Sequence, residues 1–356
     1  LNRFFYSTGG STANDAAVRF AHYYWNVMER RTKKTIITRA DAYHGSTYLA
    51  DSISGKPGND DRMERVTEWI NHVSSPNPYR KPDGMTDEEF KDHLLKELED
   101  RILEIGPDNV AAFIAEPVLA SGGVIVPPKG YQKGCLEVCH KHDVLYISDE
   151  VVTGFGRMGH FFASEDVFEV VPDILTAAKG FTSGYIPAGL TAISERLHQD
   201  IIDKSGESAT FSMGFTYSGH PVAMAAALKN IEIMERDNIM QHARDTGDYF
   251  QERLNSLADM PMVGDTRGVG LMGCIECVES KTSKKRFDDE LSVGKMIDEK
   301  CQANGLILRP MWSLCVFSPP LIITKAQVDD MFDIMAKAIQ ETADELVRSG
   351  KWDGKD

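Results

Sequence analysis

The chain has 356 residues, is 42% hydrophobic and carries a formal net charge of −15. That length suits one large domain plus a smaller one, while the acidic balance excludes nucleic acid and anionic membrane as partners and requires any anionic ligand to meet a local positive site. No apolar run reaches spanning length, because the most apolar region, 110–128, is cut by Glu116 and Pro117, and the six cysteines read as free thiols of a cytoplasmic protein.

In chain order, Arg3 to Tyr6 reads as a strand, and Ser7-Thr-Gly-Gly-Ser-Thr-Ala-Asn-Asp15 as a glycine turn into a helix over 16–25. Because the chain opens on Leu1 and is already in a strand at Arg3, an earlier N-terminal part is expected. Strand, glycine turn and helix form an anion cradle: the first helical amides lack internal partners, Gly9 and Gly10 permit close approach, and Ser11 adds a hydroxyl. An ordinary helix N-cap fits the same residues equally well. The Gly-Lys-Ser/Thr ending of a nucleotide P-loop is absent.

Lys34 to Thr38 predicts a strand, with Tyr43 and His44 where it empties toward a cleft, at the start of another helix. A long excursion over 55–87 is rich in Pro, Gly, Asn and Asp. A charged amphipathic helix over 87–104 then leads to a strand at 110–115 that ends on the carboxylate of Glu116. A helix over 130–142 would align Cys135, Cys139 and His142. No clear fourth ligand follows and cysteine is commonly a small buried hydrophobe, so no metal site is expected.

Two apolar runs next end in polar residues, as buried parallel strands do when they deliver a functional group to their carboxyl ends. Val144-Leu-Tyr-Ile-Ser-Asp-Glu-Val151 delivers Asp149, and Ile174-Leu-Thr-Ala-Ala-Lys-Gly180 delivers Lys179. Between them Gly154-Phe-Gly-Arg-Met-Gly159 matches the dinucleotide pattern. Only seven residues separate Gly159 from the apolar run at Val167, too few for the helix that such a motif opens. After a glycine-bearing loop over 211–221, a small-residue helix from Val222 leads to helices near 237–257, 291–303 and 325–348 and strands near 269–276, 306–309 and 314–317. The expected division is a large domain over 1–228 and a small C-terminal one over 229–356.

An anion cradle, a strand-end lysine and a strand-end carboxylate suit pyridoxal phosphate: the amine can bond its aldehyde, the acid can hold its ring nitrogen protonated, and the cradle can fix its phosphate. Ser148-Asp-Glu-Val-Val-Thr-Gly-Phe-Gly-Arg157, Pro172-Asp-Ile-Leu-Thr-Ala-Ala-Lys-Gly180 and Phe215-Thr-Tyr-Ser-Gly-His-Pro221 carry a closer likeness. Through them the chain resembles, over nearly its whole length, the class III pyridoxal-phosphate aminotransferases of fold type I, particularly the pyruvate-dependent ω-aminotransferases.

The resemblance implies an α/β large domain with a mostly parallel sheet between helices and a small α+β domain. Lys179 matches the lysine that binds the cofactor and then acts as general base, and Asp149 the partner of the ring nitrogen. Gly10 and Ser11 match the phosphate cup, Tyr43 and Val151 the residues on the two ring faces, and His44 and Glu116 further residues of the cofactor site. Thr216 matches a threonine that reaches the neighbouring subunit's phosphate, which implies a homodimer with shared sites, or a tetramer. Arg309 matches a mobile arginine that receives a substrate carboxylate, a role suited to a bidentate guanidinium, and Glu116 an acid able to neutralise it. Thr12 departs from the family, which often has glutamate there.

The implied reaction is ping-pong transfer of an amino group from an ω-amino acid or amine to a keto acid, with pyruvate favoured. The alternatives are another reaction of the same fold, a decarboxylation or an amine shift within one molecule, and a non-catalytic phosphate-ligand-binding protein.

Overall fold

The computed structural model describes residues 1–56, 62–206 and 209–355. The chain divides into two compact units: Leu1–Gly122, Pro127–Phe155 and His160–Asp237 form the first, and Gly123–Val126, Gly156–Gly159 and Asn238–Asp356 the second.

In the first unit the order is β1 (Arg3–Ser7), α1 (Gly10–Val27), β2 (Thr35–Arg39), α2 (Tyr48–Ser52), β3 (Ile70–Val73), α3 (Asp87–Ile105), β4 (Val110–Ala115), α4 (Tyr131–Lys141), β5 (Leu145–Asp149), α5 (Ala163–Asp166), β6 (Ile174–Ala177), β7 (Gly189–Ile193), α6 (Glu195–Ser205) and α7 (Pro221–Arg236). Seven strands form one sheet in the order β1-β7-β6-β5-β4-β2-β3. Strands β3, β2, β4, β5 and β6 pair parallel, while β7 pairs antiparallel with both β6 and β1.

Strand alternation sends side chains to opposite faces. Ile36, Ile114 and Ile147 enter a core with Ala17, Val18 and Ala21 of α1 and Leu197 of α6. Their neighbours Ile37, Phe113 and Tyr146 enter a second core with Phe90, Leu94 and Leu98 of α3 and Cys135 and Cys139 of α4. The two cysteines are therefore packed hydrophobes, and burial pushes their thiols well up. His142 turns elsewhere, to Glu99 Oε1 at 2.7 Å. Helices on both faces of a mostly parallel sheet leave the strands' carboxyl edge open for function.

Three expectations shift. The excursion over 55–87, of which 57–61 lie outside the described residues, contains β3, a four-residue edge strand whose middle residues Asn71 and His72 hide its apolar character. The dinucleotide-like glycines lie in turns, and between them and β6 the described residues form one short helix, the four-residue α5. The single strand expected at 269–276 is a hairpin, described with the second unit.

That unit contains α8 (Ile239–Asn255), β8 (Val263–Val269), β9 (Met272–Ser280), β10 (Lys285–Arg286), α9 (Val293–Ala303), β11 (Arg309–Met311), β12 (Leu314–Phe317) and α10 (Lys325–Arg348). Its sheet is antiparallel throughout. Gly270, at φ 56°, turns β8 into β9, and a Cβ there would meet the Arg157 carbonyl at 2.7 Å, so glycine is required both for conformation and for space. One core joins Phe250, Ile275, Cys315, Phe332 and Met335. Thr324 and Gln327 close a capping box that starts α10.

At the amino end of β6, the buried Asp173 ties the layers of the first unit together. It accepts hydrogen bonds from His140 of α4 at 3.0 Å, from the Tyr146 amide of β5 at 2.8 Å and from Arg196 of α6 at 2.6 Å. Burial pushes its carboxyl up, but these three donors outweigh that and hold it below the ordinary aspartate range. A depressed native pKa means that this stabilisation is complete above the unfolded-state value near 4 and is lost as the pH falls through the native one. Asp173→Asn should lower the urea stability at pH 7 by about 1.5–3 kcal/mol, the range for a hydrogen bond to a charged group. The gap from wild type should close in acid, and equal urea midpoints at pH 7 would refute the role.

Candidate active site

The carboxyl edge of the parallel strands is where the chemistry-bearing residues gather. β5 ends on Asp149, paired in register with Thr176 of β6, so that Lys179 leaves the adjacent strand two residues beyond its end. Lys179 is exposed and holds φ 42°, a left-handed conformation that non-glycine residues seldom adopt and that recurs at functional sites.

Asp149 is buried, and its carboxylate is held from three sides. Oδ2 accepts from Asn14 Nδ2 and from His44 Nδ1, both at 2.7 Å, and Oδ1 accepts from the Val151 amide at 3.0 Å. Since Nδ1 faces a carboxylate, it carries the proton. Nε2 lies 3.3 Å from Thr38 Oγ1, within hydrogen-bond reach. The His44 amide donates to Ser54 Oγ at 2.8 Å, which fixes the loop that carries the ring.

Close backbone approaches bring the loops together. A Cβ on Gly10 would stand 2.7 Å from Val151 Cγ1, and one on Gly45 would stand 2.4 Å from Ser11 Oγ, so each glycine admits a contact that alanine would block. Ser11 Oγ accepts from the Ser46 amide at 3.0 Å, and the Tyr43 hydroxyl bonds Ser46 Oγ at 2.9 Å. A Cβ on Gly9 would meet nothing within 4 Å, so the ground before the α1 amides is open. The first helical bond there runs from the Ala13 amide to the Gly9 carbonyl at 3.0 Å, which leaves the amides of residues 10–12 outside the helical ladder.

Glu116 follows β4. Its Oε1 accepts from the Tyr43 amide at 3.0 Å and its Oε2 from the Ala120 amide at 3.2 Å. Burial pushes its carboxyl up to about 7. The nearby Asp149 charge adds to that shift, while His44, the Tyr43 amide and Arg39 oppose it. Its own carbonyl takes two donors, Arg39 Nη2 at 2.6 Å and Gln132 Nε2 at 2.9 Å.

The structure thus brings Gly10, Ser11, Tyr43, His44, Glu116, Asp149 and Val151 to one edge, with Lys179 two residues beyond the end of the adjoining strand β6. Thr216 is exposed in the turn of residues 216–219, and no hydrogen bond among the described residues joins it to that group. Arg309 is exposed on β11 of the second unit, opposite Val316. Sequence reasoning passed over Asn14, Thr38, Ser54 and Thr176. Asn14 did carry a signal: it begins the buried stripe of α1 that continues at Ala17, Val18 and Ala21, and an amide on such a stripe must find partners.

Known proteins match the chain over almost its entire length. The family model for aminotransferase class III matches residues 2–339. The putrescine–pyruvate aminotransferase of Pseudomonas aeruginosa is 40% identical over 344 residues, 96% of this chain and 74% of that protein. A thermostable omega transaminase mutant from Pseudomonas jessenii superposes with a TM-score of 0.92 at 37% identity, covering 96% of this chain and 76% of that one. The aminotransferase from Vibrio fluvialis in its PMP-bound form does so with a TM-score of 0.92 at 38% identity and the same coverages. On this extent of likeness, carried by both sequence and fold, the chain belongs to the class III aminotransferase family.

Proposed function

We propose that this aminotransferase moves an amino group from an amine or ω-amino acid to a keto acid, with pyruvate as the favoured acceptor. One observation carries the reading: a buried carboxylate with three fixed donors stands at a strand's carboxyl end, beside the open N-terminus of α1 and next to the strand that delivers Lys179. The relative named for putrescine and pyruvate supports the choice of substrates.

The residues present fit pyridoxal phosphate, the cofactor of the family. The open ground before α1 suits its phosphate, where the free amides of residues 10–12 and the Ser11 hydroxyl would bind it. Asp149 would hold the proton of the ring nitrogen, with Tyr43 and Val151 against the two ring faces and His44 acting through Asp149. Lys179 would hold the aldehyde carbon covalently. When bound, the cofactor supplies an electron sink for the charge left as the amine-bearing carbon loses its proton. Lys179, with its amine free, would take that proton as general base and pass it to the cofactor, and would carry one the opposite way in the second half-reaction. Arg309 would receive the carboxylate of the keto acid, and Glu116 would set the charge near it.

The first unit is read as the large cofactor-binding domain and the second as the small domain. A homodimer in which Thr216 reaches the partner's phosphate completes the site, and six free, buried cysteines support a cytoplasmic location.

Purified protein should form alanine from pyruvate in the presence of an amine and release no carbon dioxide. Lys179→Ala should abolish the absorbance of lysine-linked cofactor and lower turnover by at least about a thousandfold. Full turnover in that variant would exclude the assignment. Because Glu116 ionises near pH 7, the KM for pyruvate should climb about threefold as the pH is raised through that point, a negative charge then facing the anionic substrate. Glu116→Gln should show a flat profile, and an unchanged climb in that variant would remove Glu116 from the site. Sedimentation should give a dimer, and a fully active monomer would contradict the shared site.

A further inference from the structure

Asn14 is fully buried on the second turn of α1, and each of its polar atoms is engaged. Nδ2 donates to Asp149 Oδ2 and to the His44 carbonyl, both at 2.7 Å, and Oδ1 accepts from Thr176 Oγ1 at 2.7 Å. Only this orientation of the amide works: turned over, its oxygen would face a carboxylate and a carbonyl, and its nitrogen would face a hydroxyl that already needs an acceptor.

A carboxylate offers about four acceptor positions, two on each oxygen. Asn14 and His44 occupy both on Oδ2, and the Val151 amide occupies one on Oδ1. One position on Oδ1 is left to receive a proton donor from the cofactor. The helix that carries Asn14 also carries Gly10 and Ser11 one turn earlier, about 6 Å along its axis. The same rigid element therefore ends at the anion cradle and grips the carboxylate.

We infer that Asn14 is a positioning residue. With His44 it saturates Oδ2, turns Oδ1 toward the ring nitrogen, and through α1 sets the spacing between the phosphate cradle and that oxygen. Thr176 is the next link, since it holds the amide in its working orientation. This inference rests on the reading of the site as one for pyridoxal phosphate, and it adds residues that act through Asp149 without touching substrate.

The test is cofactor binding to the apoprotein, measured for pyridoxal phosphate and for its analogue with carbon in place of the ring nitrogen. Asn14→Leu keeps the volume of the side chain and removes its donors. It should weaken binding of pyridoxal phosphate about tenfold, the size of one charge-assisted hydrogen bond, and leave binding of the analogue within twofold of wild type. The pH midpoint of the lysine-linked absorbance should move in the variant as well. A merely structural asparagine would weaken both ligands equally or neither, and either result overturns the inference. If Asn14→Leu does not fold, Thr176→Val decides, with a smaller loss confined to the nitrogen-bearing cofactor and equal losses counting against. Wild-type protein that takes up no pyridoxal phosphate at Lys179 would overturn the functional reading itself, a result distinct from an unaffected variant.

Discussion

A charged carboxylate buried at the end of β5 is the constraint to which the surrounding elements answer. Removing such a group from water is costly unless donors replace the lost hydration, and Asp149 receives three from separate parts of the chain. The amide of Asn14 requires α1 to lie close against the sheet. The ring of His44 requires the loop after β2 to fold over the same edge, and the Val151 amide requires the chain to turn at once after the strand. Gly10 and Gly45 make those approaches sterically possible, because a Cβ at either position would collide with Val151 or Ser11.

The second carboxylate of the edge is supported differently. Glu116 is reached by backbone amides of two loops, while its carbonyl is pinned from below by Arg39 and Gln132, and Gln132 is itself held by the Tyr146 hydroxyl at 2.7 Å. Arg39 is fully buried, with its guanidinium over the Tyr131 ring at 5.9 Å, and its Nε and Nη1 have no hydrogen-bond partner among the described residues. An unsatisfied buried donor costs stability, so its retention at the end of β2 is accounted for by what it holds in place. The two carboxylates consequently differ in kind: Asp149 holds three donors, two of them on Oδ2, and burial pushes Glu116 up to about 7, which lets its charge change with pH near neutrality.

The second unit has its own core and its own polar anchor. Arg267 bridges Asp265 and Glu276 at 2.7 Å each and donates to the Gly123 carbonyl at 2.8 Å. This draws the short segment Gly123–Val126 into that unit although it lies far earlier in the chain. Arg309 sits exposed on β11, at the edge of the antiparallel sheet, where β11 pairs with β12.

Local pattern and residue type were enough to place a carboxylate at the end of β5 and a lysine just past β6, to anticipate α/β architecture, and to bound the long helices α3 and α10, because strand alternation, helical periodicity and strand-end polarity need no distant partner to be expressed. The strands β3 and β7 and the hairpin at Gly270 were not legible, since β3 is interrupted by the polar pair Asn71 and His72, β7 opens on a glycine, and a two-residue turn inside an apolar run reads as continuous strand. The grip on Asp149 was hidden for a different reason. Asn14 and Asp149 are 135 positions apart and His44 and Asp149 are 105 apart, so their hydrogen bonds exist only after the sheet order has set α1 and the loop after β2 against the end of β5. By itself, then, the sequence determined which groups arrive at the edge; the tertiary structure alone decided which way the carboxylate faces, because that depends on donors that no local stretch contains.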